Sequence, residues 1–222
     1  MYRQTEGFNG MNDDTILWRY QDIPRYIDLL LKRQLFFSRA DRFEDPFEGA
    51  FVNPHKESLS KEFVTINSWH VNTTENYAMW KIYATGEYGL AIQTTFGKLK
   101  EAFNASEKDI LISRVQYCED QDDFDDHTNT LVPYIRKRKI YEYENEVRCL
   151  YVVDEHTANF QWQEQDKYDG IFIDVELETL IEKVYISPYS PKWIREIIDG
   201  INSKFSIDKQ ILHSAVFESE NF

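Results

Sequence analysis

The segment YEYENEVR, residues 141–148, sets Glu144, Glu146 and Arg148 at alternating positions. In extended backbone alternate residues share a face, so two carboxylates and a guanidinium stand together while Val147, Cys149 and Tyr151 turn to the other side. Such a row can be a surface ion-pair ladder contributing roughly 0.2–1 kcal/mol. It can also be a carboxylate that Arg148 keeps ionised so that its oxygen meets a cation developing on a substrate. The spacing does not choose among Glu142, Glu144 and Glu146.

Three further stretches carry residues of the same kind. Arg19 lies in LWRY, an otherwise apolar run with Tyr20 at its end. A guanidinium there needs an anion or a path to solvent, because an unpaired buried charge is costly. An anion there would be either a carboxylate such as Asp45 or Glu48, or a phosphate, which the guanidinium fork matches bidentately. Ser68, Trp69 and His70 end a strand just before a helix start, a common ligand position in α/β folds, and also a place for a packed Trp and a capped turn. The run FFSRADRFEDPFEG, residues 36–49, holds four phenylalanines, two arginines and four carboxylates. Pro46 favours an extended Asp45, whose carboxylate can bond nearby backbone N–H groups, and Gly49 permits a tight turn. Phe36, Phe43 and Phe47 are expected in the core, leaving Ser38, Arg39 and Glu48 to face a cleft.

The chain lacks G-x-G-x-x-G, a Walker loop, H-E-x-x-H and G-x-S-x-G, which counts against dinucleotide-fold, kinase, metalloprotease and α/β-hydrolase readings. Its five histidines show no ligand spacing, and neither Cys118 nor Cys149 lies in a C-x-x-C, so no metal is expected. The acidic run EDQDDFDD, residues 119–126, lacks the glycine and closing glutamate of an EF-hand and reads as a solvated loop. RKRK, residues 136–139, reads as solvated helix surface or as a phosphate contact. A formal net charge of -14 opposes broad duplex-DNA binding, which needs lysines and arginines to displace counterions. No apolar run reaches membrane-spanning length and no leader is visible at the start. A reducing cytoplasm is the expected location, and no membrane partner is expected.

The elements that must position these residues follow from pattern. Residues 1–14 read as a flexible lead-in and 15–222 as a single globular domain. TILWRY is a strand; Asp22 caps a helix with Pro24 in its first turn; Ile23, Ile27, Leu30 and Leu31 form its apolar face. LFFS and FVTINSWH are strands. Asn72 with Glu75 resembles a capping box opening a helix ENYAMWKIY. YGLAIQTT, DILISRVQY, NEVRCLYVV, GIFIDV, KVYIS and KQILH are strands. Helices are expected near residues 98–103, over ELETLI, and from a Ser190–Pro191 cap to about Lys204. The fold class is mixed α/β (α+β), a largely antiparallel sheet flanked by helices.

Taken in order, LWRY, LFFSRADRFEDPFEG, SWHVNTTENYAMWKIY, GLAIQTTF, YENEVR and VYISPY, between Leu17 and about Leu212, resemble a bacterial and phage family, domain of unknown function 2971. The order Arg19, Ser68, then Glu146 or Glu144 is also similar to ADP-ribosyltransferases, which carry Arg or His on an early strand, Ser or Tyr in the middle and Glu on a late strand. Two departures stand beside it: Trp follows Ser68, and an acidic loop separates Ser68 from the glutamates. The resemblance implies an ADP-ribosyltransferase-like enzyme of bacterial or phage conflict systems that uses NAD as substrate and passes its sugar to a protein or RNA acceptor. It implies Glu146, Glu144 and Ser68 as the catalytic group. It implies nucleotide contacts from Arg19, Tyr20, Ser38, Arg39, Trp69, His70, Trp80, Tyr83 and Arg148, with Trp69, Trp80 or Tyr83 stacking on nicotinamide. The competing reading is a non-enzymatic nucleotide- or protein-binding module.

Overall fold

The β-branched and aromatic runs form strands and the capped amphipathic runs form helices, as their periodicities dictate. The computed structural model describes residues 1–3, 5, 8, 10–50, 59–84, 86–119, 129–154 and 169–217. The fold is mixed α/β, with a largely antiparallel sheet flanked by helices. Contacts divide the chain into two compact units. The first comprises Met1–Met11, Leu35–Trp69 and Ser106–Ile173; the second comprises Asn12–Gln34, His70–Ala105 and Asp174–Phe222.

Unit 1 is built on strands β1 (Tyr2–Arg3), β3 (Gln34–Arg39), β4 (Val64–Val71, divided between the units after Trp69), β6 (Ile110–Arg114), β9 (Glu146–Val152) and β10 (Gly170–Asp174). The order is β1-β6-β9-β4-β3-β10. β6 and β9 run antiparallel with Ser113 opposite Arg148, and β3 pairs antiparallel with β4 through Ser38 and Ile66. A separate parallel pair joins β7 (Gln116–Cys118) to β8 (Arg136–Arg138). Its core gathers Phe8, Ala40, Val64, Ile66, Tyr134, Ile135 and Leu150. Phe37 is fully buried, whereas Phe36, Phe43 and Phe47 are half-buried; of the three expected in the core, Phe43 packs against it from its edge. Within RKRK, Arg136–Arg138 is strand and not solvated helix, with Arg136 and Lys137 buried, and Lys139 begins a 3-10 turn.

Unit 2 is built on β2 (Ile16–Asp22), the last residues of β4, β5 (Gly89–Thr95), β11 (Lys183–Ile186) and β12 (Gln210–His213). β5 is antiparallel to both β2 and β11, and β12 lies parallel to β11. Helices α1 (Ile23–Lys32), α2 (Tyr77–Tyr83), α3 (Phe96–Ala102), α4 (Leu177–Leu180) and α5 (Ile194–Lys204) belong to the same unit. Asp22 caps α1 as expected, accepting from the Arg25 N–H at 2.8 Å. The face it buries is Ile23, Tyr26, Leu29 and Leu30, and the Tyr26 hydroxyl donates to Asn202 Oδ1 at 2.7 Å; Leu31 is exposed. α2 is capped by Asn76 rather than Asn72: the Asn76 side chain accepts from the N–H groups of Ala78 and Met79. Ser190 makes no cap, since its hydroxyl donates to the Glu87 carbonyl, and α5 starts at Ile194. Cys149 is buried and Cys118 half-buried, both free thiols. The acidic run after Glu119, and His55, His127 and His156, lie outside the described residues.

Candidate functional site

Unit 1 brings Glu146, Glu144, Ser68 and Arg148 together with Glu48, from the run expected to face a cleft, and Lys137, from RKRK, neither of which was expected to pair with them. Arg148, on β9, is 1% exposed. Its Nε donates to Glu146 Oε1 at 2.8 Å and its Nη2 to Glu146 Oε2 at 3.0 Å, a bidentate fork; Nη2 also donates to Glu48, and Nη1 to the Tyr134 carbonyl at 2.8 Å. Lys137, on β8, donates to Glu144 Oε2 at 2.5 Å and lies 3.4 Å from Glu48 Oε1 and 3.5 Å from Glu146 Oε2. The Ser68 hydroxyl donates to the Glu146 carboxylate. Among the described residues these ion pairs join three carboxylates to two cations, all of them buried.

Local geometry explains how each group arrives. Glu144 ends a 3-10 turn, Lys139–Glu144, and Asn145 follows in the left-handed region at φ 39°. That reversal starts β9 at Glu146, whose N–H donates to the Tyr117 hydroxyl at 2.8 Å and whose carbonyl accepts from Val115 at 2.9 Å. Glu146 and Arg148 then share a face of β9, as alternation requires. Glu142 is exposed and takes no part in these pairs. The surface-ladder reading is overturned: the row is interior.

The run at 36–49 supplies Glu48. Asp45 is buried; one oxygen accepts from the Phe47 N–H at 3.1 Å and the other from Arg138 Nε at 3.1 Å. Lys61 donates to the Pro46 carbonyl at 2.9 Å, and the Gly49 N–H to the Pro133 carbonyl at 3.3 Å. Gly49 has φ 66°, and a Cβ there would stand 2.5 Å from the Tyr134 ring. The two carboxylates expected to pair with Arg19 are therefore taken by Arg138 and by the Arg148–Lys137 pair.

Burial pushes the Glu146 carboxyl up, but the charges of Arg148 and Lys137 and hydrogen bonds from Arg148 and Ser68 outweigh it and hold the carboxyl at about 2. Burial pulls Lys137 down, and the carboxylates of Glu146 and Glu48 more than restore it, leaving the ammonium above its ordinary value. Burial raises the Tyr117 phenol. Glu146 is held ionised between Arg148 and Lys137, with a hydroxyl on its carboxylate, an arrangement suited to facing positive charge.

The remaining candidates stand as follows. Ser38 and Arg39 lie on β3 of unit 1, and the Arg39 guanidinium is held by Asp41 through contacts of 2.9 and 2.6 Å. Trp69 is buried, its indole N–H on Asn67 Oδ1 at 2.8 Å. In unit 2, Arg19 is half-buried on β2, and Tyr20 is buried with its hydroxyl accepting from Asn76. His70 lies 6.2 Å from the Tyr20 ring, and Trp80 meets that ring edge-on at 4.9 Å while its indole donates to Glu75. Tyr83, at the end of α2, is 45% exposed. A cleft of about 450 Å³ in unit 2, lined by Asp199, Asn202, Ser203, Asp208 and Lys209 among others, contains none of these candidates. Among the described residues there is no His, Cys, Asp and Glu grouping fit to hold a metal, and no helix is long and apolar enough to cross a membrane.

Residues 79–149 match the family described as Protein of unknown function (DUF2971). The matched segment holds Trp80, Tyr83, Glu144, Glu146 and Arg148, and stops short of Ser68 and Glu48. No curated protein matches. Solved complexes of DarT from Thermus sp. 2.9 are similar in three dimensions. The complex with NAD+ has a TM-score of 0.46 at 8% identity, over 92% of this chain and 97% of that chain. The complex with ADP-ribosylated ssDNA has a TM-score of 0.44 at 9% identity, over 93% and 96%. The complex with carba-NAD+ has a TM-score of 0.41 at 10% identity, over 92% and 97%. Likeness at this level transfers no residue role.

Proposed function

We propose that this protein transfers ADP-ribose from NAD, with Glu146 as the carboxylate that meets the charge developing on the ribose. The observation that carries the reading is the Glu146 carboxylate itself, gripped bidentately by Arg148, receiving the Ser68 hydroxyl, and held ionised at about 2. Breaking the bond between ribose and nicotinamide passes through an oxocarbenium-like state, as in glycoside hydrolysis. The bonding pair leaves on the nicotinamide nitrogen, and an acceptor nucleophile on a protein or RNA, or water, then adds to the ribose carbon and releases its proton. A fixed anion pays no reorganisation cost when that cation forms. Glu144 shares Lys137 with Glu146 and adds to the local negative potential.

The test is the release of free nicotinamide on incubation with NAD. The expected result is turnover by the native chain and none by Glu146→Gln. The melting temperature is followed alongside, so that loss of turnover is separated from loss of fold. Full turnover in Glu146→Gln refutes the assignment.

The second reading, a module that binds and does not catalyse, is favoured by one observation: Glu146, Glu144 and Arg148 are all more than nine-tenths buried, Glu146 bonded to Arg148 and Glu144 to Lys137. It predicts no nicotinamide release from the native chain.

A further inference from the structure

The cleft in unit 2 is lined by a buried side chain whose polar atoms the fold matches only in part. Asn202, on α5, is 3% exposed. Its Oδ1 accepts from the Tyr26 hydroxyl at 2.7 Å, and its backbone carbonyl accepts from the Ile207 N–H at 2.9 Å. Its Nδ2, the other arm of the same amide, has no hydrogen-bond partner among the described residues. A buried donor left unmade is costly, and an acceptor brought by a ligand removes that cost. The surrounding groups narrow what the ligand is. α5 ends at Lys204, Ser206 follows in the left-handed region at φ 59°, and the turn carries the chain to Asp208 and Lys209. Lys209 is engaged by Glu178 at 3.4 Å and Asp199 lies 3.7 Å from Arg195, whereas Asp208 has no ion pair among the described residues.

We propose that this cleft binds an uncharged polyhydroxy ligand the size of a single sugar ring, with Asn202 and Asp208 as its polar contacts. An anion satisfies Nδ2 but meets Asp199 and Asp208 at the carbonyl end of a helix, where negative charge is disfavoured. An ammonium satisfies the carboxylates and leaves Nδ2 unmade. A hydroxyl serves both, since its oxygen accepts from an amide N–H while its proton goes to a carboxylate. The Ser206 hydroxyl adds a group that gives or takes a hydrogen bond, and Ile207 and Ile211 offer apolar surface to the C–H face of a ring. The volume of about 450 Å³ falls in the range of small-molecule sites. The proposal is independent of the reading of Glu146, which belongs to unit 1, and needs no turnover of NAD.

The test titrates the native chain by ligand-observed NMR with D-ribose, D-galactose and myo-inositol as neutral polyols, and with putrescine and inorganic phosphate as charged comparators. At least one polyol is expected to bind with a Kd of about 1 mM or tighter, and more tightly than either charged probe. Asp208→Asn, at an exposed position, and Asn202→Asp, which keeps an oxygen for Tyr26 and replaces the N–H donor, should each weaken that polyol about tenfold. Glu196→Gln, an exposed carboxylate of α5 outside the cleft, should bind it as the native chain does. Melting temperatures are followed throughout; if Asn202→Asp does not fold, Asp208→Asn decides. A cleft filled by water alone gives no polyol binding up to about 20 mM, well above the expected Kd, and overturns the proposal. Tighter binding of putrescine or phosphate than of any polyol overturns it, as does polyol binding that Asp208→Asn leaves unchanged.

Discussion

The Arg148 guanidinium meets Glu146, Glu48 and the Tyr134 carbonyl with 1% of its residue surface open to solvent. Removing a positive charge there leaves three carboxylates against Lys137 alone; removing a negative charge leaves two against two. Arg148→Met is therefore expected to cost about 3–5 kcal/mol, read from urea midpoints. Glu146→Gln is expected to cost about 3 kcal/mol, because it breaks the bidentate pair with Arg148 and removes a carboxylate held well below its ordinary value. The acid limb carries a second signature. A carboxyl held at about 2 in the fold against an ordinary 4.5 contributes stability that is complete above about pH 4.5 and is lost as pH falls toward 2. Stability of the native chain should fall across that window, and Glu146→Gln should flatten the fall when urea midpoints are followed from pH 5 downward. The sequence already placed Glu146 and Arg148 on one face, since alternation is local. It left open whether that face was wet, because burial depends on what the rest of the chain lays over it.

Element boundaries show the same division. The Asp22 cap was legible because cap, Pro24 and apolar stripe are neighbours in sequence. α2 was read from Asn72 on the pattern of a capping box, whereas the Asn72 carbonyl takes the Trp18 indole and Asn76 takes the cap. Asn76→Ala should cost about 1 kcal/mol, seen as a lowered thermal midpoint, and Asn72→Ala much less. The turn that carries Glu48 gives a stronger case. At Gly49 a methyl group meets both the left-handed backbone and the Tyr134 ring at 2.5 Å. Gly49→Ala should cost at least about 1 kcal/mol. It should also move Glu48 off Arg148. RKRK was misread as helix surface because four consecutive cations carry no period; its pairing with β7 is a contact at a distance.

At the scale of the whole molecule, charge is the property the chain states outright. With 39 acidic against 25 basic side chains, duplex DNA should give no anisotropy change at physiological salt, since binding would demand cations the surface does not supply in excess. Composition, strand alternation, the α1 cap and the mixed α/β class were all fixed by residues adjacent in the chain, where steric and hydrogen-bonding preferences act without help from elsewhere. The assembly of Glu48 with Lys137, Glu144, Glu146 and Arg148 was not. Its members come from a loop, a short strand, a 3-10 turn and β9, and Glu48 and Arg148 lie 100 residues apart. Charges choose partners by distance in space, and only the folded chain sets those distances, so the sequence determined which groups could ionise and the tertiary structure decided which of them share one another's field.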